Sequence, residues 1–184
     1  QKLCSWIHLP LQAGSGRVLD LMKRTYTAER FMEIVGWIRE VLPAAHITTD
    51  IIVGFPTETD DDYAATRSIM EQVNFDLIYS FVYSPRKYTP AAKMGDPIPL
   101  EVKEKRLAAL QARQKEIALA NNQRLIGTAC RMLIEKQTED GLLTGRTSGN
   151  LRVMLRGSKD LIGSFVTVEI HEAGVAQLEG VLVG

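Results

Sequence analysis

The chain has 184 residues, 45% of them apolar, with 22 basic and 22 acidic side chains and a formal net charge of zero. That is enough apolar material for folded cores, which excludes a disordered tail, and the balanced charge excludes a whole-molecule field drawing the chain to nucleic acid or an anionic membrane. Two distant cysteines, Cys4 and Cys130, read as reduced, small buried hydrophobes rather than a disulfide framework. With no apolar run of eighteen residues and no signal peptide, a cytoplasmic protein without a membrane partner is expected.

In chain order, Cys4 to Leu11 reads as a strand, Gln12-Ala13-Gly14-Ser15-Gly16 as a glycine-rich turn, and Arg17 to Lys23 as a short helix. A second helix from Ala28 to Leu42 places Phe31, Ile34, Val35, Ile38, Val41 and Leu42 on one face, with Thr27 as N-cap and Pro43 past its end. The β-branched run His46 to Val53 reads as a buried parallel strand, stopped by Gly54 and Pro56. Thr59 and three aspartates then open a helix that carries Tyr63, Ile69, Met70 and Val73 on its apolar stripe. Phe75 to Tyr83 is an aromatic strand. Strands alternating with helices of this length imply a parallel sheet with right-handed crossovers.

A proline-rich loop from Ser84 leads to a helix opened by Pro99 and running to about Asn122, with Leu107, Leu110, Ile117 and Leu119 buried and Glu101 paired to Lys105. Beyond Gly127 the helical period gives way to five short strands: Thr128 to Lys136, Leu142 to Thr147, Leu151 to Leu155, Phe165 to Glu172 and Gln177 to Val183. That spacing predicts a small all-β barrel of OB-like type. The domain boundary is placed at residue 122, giving domains 1–122 and 123–184. Three strands cannot close a barrel, and the chain starts at Gln1 without a methionine, so the first domain is expected to be the C-terminal half of a (β/α) barrel.

No metal-spaced Cys/His cluster, P-loop or nucleophile elbow is present. His8, His46 and His171 read as satisfied strand histidines. Polar residues do recur at the carboxyl ends of three strands: Gln12 and Ser15; Asp50, Gly54 and Glu58; Tyr83, Ser84 and Arg86. In a barrel these converge on one mouth, which suits a nucleoside-containing ligand; in the plainer reading they are solvated loop ends. In the second domain Arg146, Arg152, Arg156 and Lys159 form a candidate phosphate-tracking strip, although basic and acidic residues there balance. With few aromatics for stacking, recognition of a stem-loop by shape and backbone is expected.

His8-Leu-Pro-Leu-Gln-Ala-Gly-Ser15, Leu21-Met-Lys-Arg-Thr-Tyr-Thr27, Thr49-Asp-Ile-Ile-Val-Gly-Phe-Pro56 and Tyr83-Ser-Pro-Arg86 with Thr89-Pro-Ala-Ala-Lys-Met94 together resemble the second half of the radical S-adenosylmethionine (SAM) methylthiotransferases. Gly145-Arg-Thr-Ser-Gly-Asn150 and Ile162 to Ile170 resemble their TRAM domain. The Pro-Leu-Gln-Ala-Gly-Ser turn is similar to the MiaB type, which acts on tRNA. Relatives acting on a ribosomal protein tend to have histidine where Ala13 stands, and those acting on threonylcarbamoyl-adenosine in tRNA tend to have Ser-Leu-Gln.

The resemblance implies a longer enzyme that adds a methylthio group to carbon 2 of N6-isopentenyladenosine beside the tRNA anticodon. It also implies SAM and two 4Fe-4S clusters as cofactors, one cluster cleaving SAM to a radical and the other delivering sulfur, with the donor of that sulfur unknown. By motif position Gln12 and Ser15 would lie near the ribose or methionine moiety of SAM, Asp50 and Gly54 on its adenine side, and Tyr83 to Arg86 at the lip that admits the base. Arg146 and Arg152 would hold the anticodon stem-loop, and a monomer is expected. The C-x-x-x-C-x-x-C cysteines that leave one iron open are missing, so neither cluster is ligated by these residues and the chain alone would be inactive. The family's Gly-Phe-Pro-Gly-Glu reads Gly-Phe-Pro-Thr57-Glu here, and its Gly-Thr-Pro-Ala reads Tyr88-Thr-Pro-Ala. The alternative, from another class, is a non-catalytic RNA-binding protein that kept this scaffold.

Overall fold

The computed structural model describes residues 3–183 and divides into two compact units. One runs from His8 to Gln114; the other joins the segment before His8 to everything from Lys115 onward.

A three-stranded sheet has the order β1 (Trp6–His8), β2 (His46–Val53), β3 (Leu77–Val82), with β2 and β3 wholly in the first unit and only His8 of β1 counted there. β2 and β3 are parallel, with Asp50 opposite Tyr79 and Val53 opposite Val82. The helices are α1 (Gly16–Leu21), α2 (Ala28–Val41), α3 (Asp60–Val73) and, as far as Gln114, α4 (Leu100–Gln123). β1 is shorter than the expected Cys4–Leu11 because Pro10 has no amide to donate to a ladder; past it, pairing resumes only as a single parallel bridge between Gln12 and Ile51.

Alternation along β2 sorts its side chains. Ile47, Thr49, Ile51 and Val53 are wholly buried with Phe31 and Val35 of α2 and Ile69, Met70 and Val73 of α3. The opposite face is open: Leu77, Tyr79 and Phe81 of β3 are all exposed. Thr27 caps α2 by accepting from the Arg30 amide, and Thr59 caps α3 in a reciprocal capping box with Asp62. Val41, expected in the stripe of α2, is exposed, because the helix ends there and Leu42 leaves helical geometry.

Helix α4 departs furthest from its apolar pattern. Up to Gln114 it buries Lys103, Arg106, Leu110 and Gln114, whereas Leu107 is only half-buried. The loop before it, expected to be irregular, contains a 3-10 turn at Ala91–Met94.

In the second unit β4 (Ala129–Gln137), β5 (Leu143–Thr147), β6 (Arg152–Leu155), β7 (Phe165–Ala173) and β8 (Leu178–Leu182) form the expected small barrel, closed in the order β4-β5-β6-β8-β7. Its interior is Met132, Ile134, Leu143, Val153, Leu155, Val168, Ile170 and Leu178. Closure leaves no sheet edge, which is how so small a core is kept dry. Cys130 is half-buried beside this core and burial pushes its thiol up, but Cys4 is exposed, contrary to the expectation of a buried hydrophobe; neither forms a disulfide.

Candidate functional site

Three strand ends meet in the first unit. The Gln12 amide donates to the Asp50 carbonyl at 2.8 Å and its carbonyl accepts from the Ile52 amide at 2.9 Å, while the Tyr83 amide donates to the Val53 carbonyl at 2.8 Å. Gln12 makes the junction with a left-handed backbone, φ 68°, so its side chain leaves the strand alternation at the point where the turn begins. The turn is then pinned: the Gly14 amide donates to Thr66 Oγ1 at 2.9 Å, and a Cβ on Gly14 would stand 2.5 Å from the Thr66 Cα.

Ser15 faces inward. Its hydroxyl donates to Asp62 Oδ1 at 2.5 Å and accepts from the Val18 amide at the start of α1. Asp62 also receives the Thr59 amide at 2.8 Å and the Arg17 guanidinium. Burial by itself would raise the Asp62 carboxyl, but the bonds from Arg17, Ser15 and Thr59 outweigh it and hold the group well below the usual carboxylate range. Arg17 reaches on to the Thr57 carbonyl at 2.6 Å, so the first two corners are tied together.

The second corner is built around Gly54, at φ 72°, whose amide donates to Glu58 Oε1 at 2.9 Å. The Glu58 side chain is only 2% exposed and takes Arg106 of α4 at 2.6 Å. Burial pushes its carboxyl up, opposed by the Gly54 amide and by Arg106. Lys103 lies flat against the glycine: a Cβ on Gly54 would fall 2.4 Å from Lys103 Cγ. Its ammonium pairs with Asp96 and sits 5.6 Å from the ring centroid of Tyr83. Tyr83 in turn meets Phe55 edge to face at 5.1 Å. Thr57 and Tyr88, which replace glycines of the resembled pattern, have φ of 68° and 69°, so both keep the left-handed backbone that glycine adopts freely.

Gln12, Asp50, Gly54 and Tyr83 are thus brought together, with Ser15 behind them. Tyr83 is buried rather than presented at an open lip, and its hydroxyl has no hydrogen-bond partner among the described residues. Burial, helped by Asp96, also raises its phenol. Arg86 lies beyond, exposed in the loop. Arg146 and Arg152 belong to the second unit, where they stand opposite each other on β5 and β6.

Sequence reasoning missed His8 as a site residue. On the open face of the sheet its Nε2 lies 3.5 Å from Asp50, its Nδ1 3.0 Å from Thr48 Oγ1, and its ring 5.8 Å from that of Tyr79. It also missed Lys103 and Arg106, whose signal was available: two cations three residues apart that continue the apolar face of Leu110 and Ile117.

The described residues include no group of three His, Cys, Asp or Glu able to hold a metal. A buried hydroxyl without a partner, a glycine corner and an Asp–His pair all lie at or beside one set of strand ends.

Known proteins resemble this chain in sequence and in fold. Residues 1–69 match the radical SAM superfamily and residues 123–183 the TRAM domain. The chain is 43% identical over its whole length to the tRNA-2-methylthio-N(6)-dimethylallyladenosine synthase of Symbiobacterium thermophilum, covering 39% of that protein. It is 44% identical to the synthase of the same name from Bacillus subtilis over 99% of its length, covering 36%, and 45% identical to that of Klebsiella pneumoniae over 99%, covering 39%. It therefore spans little more than a third of these relatives. Coproporphyrinogen III oxidase from Escherichia coli, a radical SAM enzyme, shares the fold at TM-score 0.53 and 14% identity, over 84% of this chain and 41% of that one. The domain matches and the level of identity agree: the chain resembles these synthases along its whole length, with a radical SAM match in its first part and a TRAM domain match in its second.

Proposed function

We propose that this chain is the C-terminal portion of a tRNA methylthiotransferase that adds a methylthio group to carbon 2 of N6-isopentenyladenosine next to the anticodon. The observation that carries this reading is identity of 43–45% running through both units to synthases named for that product. The three-stranded sheet is then the C-terminal half of a (β/α) barrel whose remaining strands and cluster ligands lie in the rest of the protein.

SAM with its cluster supplies the radical chemistry that a non-acidic C–H bond requires. The residues here bind and orient. Gln12, Asp50 and Gly54 line the SAM pocket, with the left-handed backbone at Gly54 setting the turn of that wall and Lys103 packed against the glycine. The Tyr83 hydroxyl offers a buried donor to a ligand oxygen or nitrogen. Ser15 serves the pocket through Asp62 rather than by contact, since its hydroxyl is already committed on both sides. Arg86, Arg146 and Arg152 meet the anticodon stem-loop.

The same reading makes the protein a cytoplasmic monomer; no helix among the described residues is long and apolar enough to cross a membrane. Nucleoside mass spectrometry tests it, on tRNA from cells that lack their own methylthiotransferases and express the complete gene. The expected product is the methylthiolated isopentenyladenosine, reduced in an Asp50→Ala variant. Methylthiolation of threonylcarbamoyl-adenosine or of a ribosomal protein would move the protein to a sister branch. No methylthiolation at all would leave the RNA-binding reading.

A further inference from the structure

The outer face of the barrel carries a row that strand register alone creates. Phe165 on β7 stands opposite Leu133 on β4, Leu133 opposite Arg146 on β5, and Arg146 opposite Arg152 on β6. Four adjacent strands place this row across about 14 Å. All four side chains lie on the outward alternation, since Met132, Ile134, Val153 and Val168 fill the interior. At one end Arg131 stacks its guanidinium over the Phe165 ring, 4.3 Å from the centroid, while Phe165 remains 60% exposed.

The row is cationic. Arg146 is tied to Asn150 at 2.7 Å and to Glu135 at 3.4 Å, which fixes its direction; Arg131 and Arg152 make no ion pair among the described residues. Three guanidinium groups face one carboxylate beside an exposed aromatic ring. A planar cation laid on a ring, next to two further arginines in line, is the arrangement that holds an unpaired base by stacking while neighbouring phosphates are neutralised.

We propose that Phe165 and Arg131 form a stacking platform for an unpaired nucleobase of a bound RNA, and that Arg146 and Arg152 hold the phosphates beside it. This rests on the tRNA reading for its partner, and it revises the expectation that the domain recognises RNA by shape and backbone alone. A duplex presents no free base face and gains only the phosphate contacts.

The test is fluorescence anisotropy with the 184-residue chain and two labelled probes: a 17-nucleotide stem-loop RNA with a seven-nucleotide loop, and a fully paired RNA duplex of similar charge. Phe165→Leu, a surface change that leaves the barrel core intact, is expected to weaken the stem-loop about tenfold and the duplex by less than twofold. Phe165→Trp should keep stem-loop affinity, with indole emission quenched as the loop binds. Arg152→Gln should weaken both probes and flatten the salt dependence by about 0.7 in logarithmic slope. Unchanged stem-loop binding by Phe165→Leu, or equal losses on both probes, overturns the platform and leaves RNA binding standing. If the wild-type chain binds neither probe at low salt, the platform and the RNA contact of this domain fall together.

Discussion

Replacing Arg106 by methionine tests the corner at Gly54 most directly. In the native chain the Glu58 carboxylate, 2% exposed, accepts from Arg106 at 2.6 Å and from the Gly54 amide at 2.9 Å. Arg106→Met leaves a buried carboxylate with the amide alone, and uncompensated charges of this kind cost about 3–5 kcal/mol. The second arm of Arg106, to Asp60 at 2.7 Å, adds little because Asp60 is 96% exposed. A loss of about 3 kcal/mol is expected, read from urea unfolding by Trp37 fluorescence in a Trp6→Phe background.

The loss must depend on pH. Burial already raises the Glu58 carboxyl with Arg106 present, and removing the guanidinium raises it further. A folded-state pKa above the unfolded one gives stability that is present at low pH and lost as pH rises through the folded value, so the deficit should be smaller at about pH 5 than at about pH 8. Adding Glu58→Gln to Arg106→Met should recover at least about 1 kcal/mol, since the amide hydrogen bond survives without a buried charge. A deficit under about 1 kcal/mol, or one independent of pH, refutes the account of this pair.

Three further outcomes are expected. Gly54→Ala combines a left-handed backbone with a Cβ 2.4 Å from Lys103 Cγ and should cost about 2–3 kcal/mol in urea unfolding, part of it recovered by adding Lys103→Ala; a loss unaffected by Lys103 would show that the clash is not with that side chain. Asp62→Asn should cost about 2 kcal/mol near neutrality, through weakened bonds to Arg17, Ser15 and Thr59. Because the Asp62 carboxyl is held low, the native stability it supplies is present above the ordinary carboxylate range and lost as pH falls below it, so the variant's stability should decline less steeply in acid, as a urea series across that range would show. Thr57→Asn should raise thermal stability by about 0.5 kcal/mol, since asparagine tolerates φ 68° better than a β-branched residue; a lower melting temperature would argue against strain at this turn.

Local chemistry was legible without the fold. The caps at Thr27 and Thr59, the breaks at Gly54 and Pro56, and the five alternating strands after Gly127 each depend on residues within a few positions of one another, and each formed where composition indicated. The convergence of Gln12, Asp50, Gly54 and Tyr83 followed from parallel strand order, because carboxyl ends of parallel strands lie on one side.

What tertiary structure alone decided is who partners whom. Lys103 and Arg106 lie within an apolar face that pattern reading assigns to Leu107 and Leu119, and they can be buried only because the chain returns Asp96 and Glu58 to them. His8 becomes a partner of Asp50 through pairing of strands about forty residues apart, a distance no periodicity spans. The row from Phe165 to Arg152 exists only by register across four strands, where a slip of one residue would turn its side chains to the other face. Composition and spacing determine which elements form, because those forces act within a turn or two. Ion pairs, buried cations and surface rows depend on long-range contacts, and those are set only when the whole chain has packed.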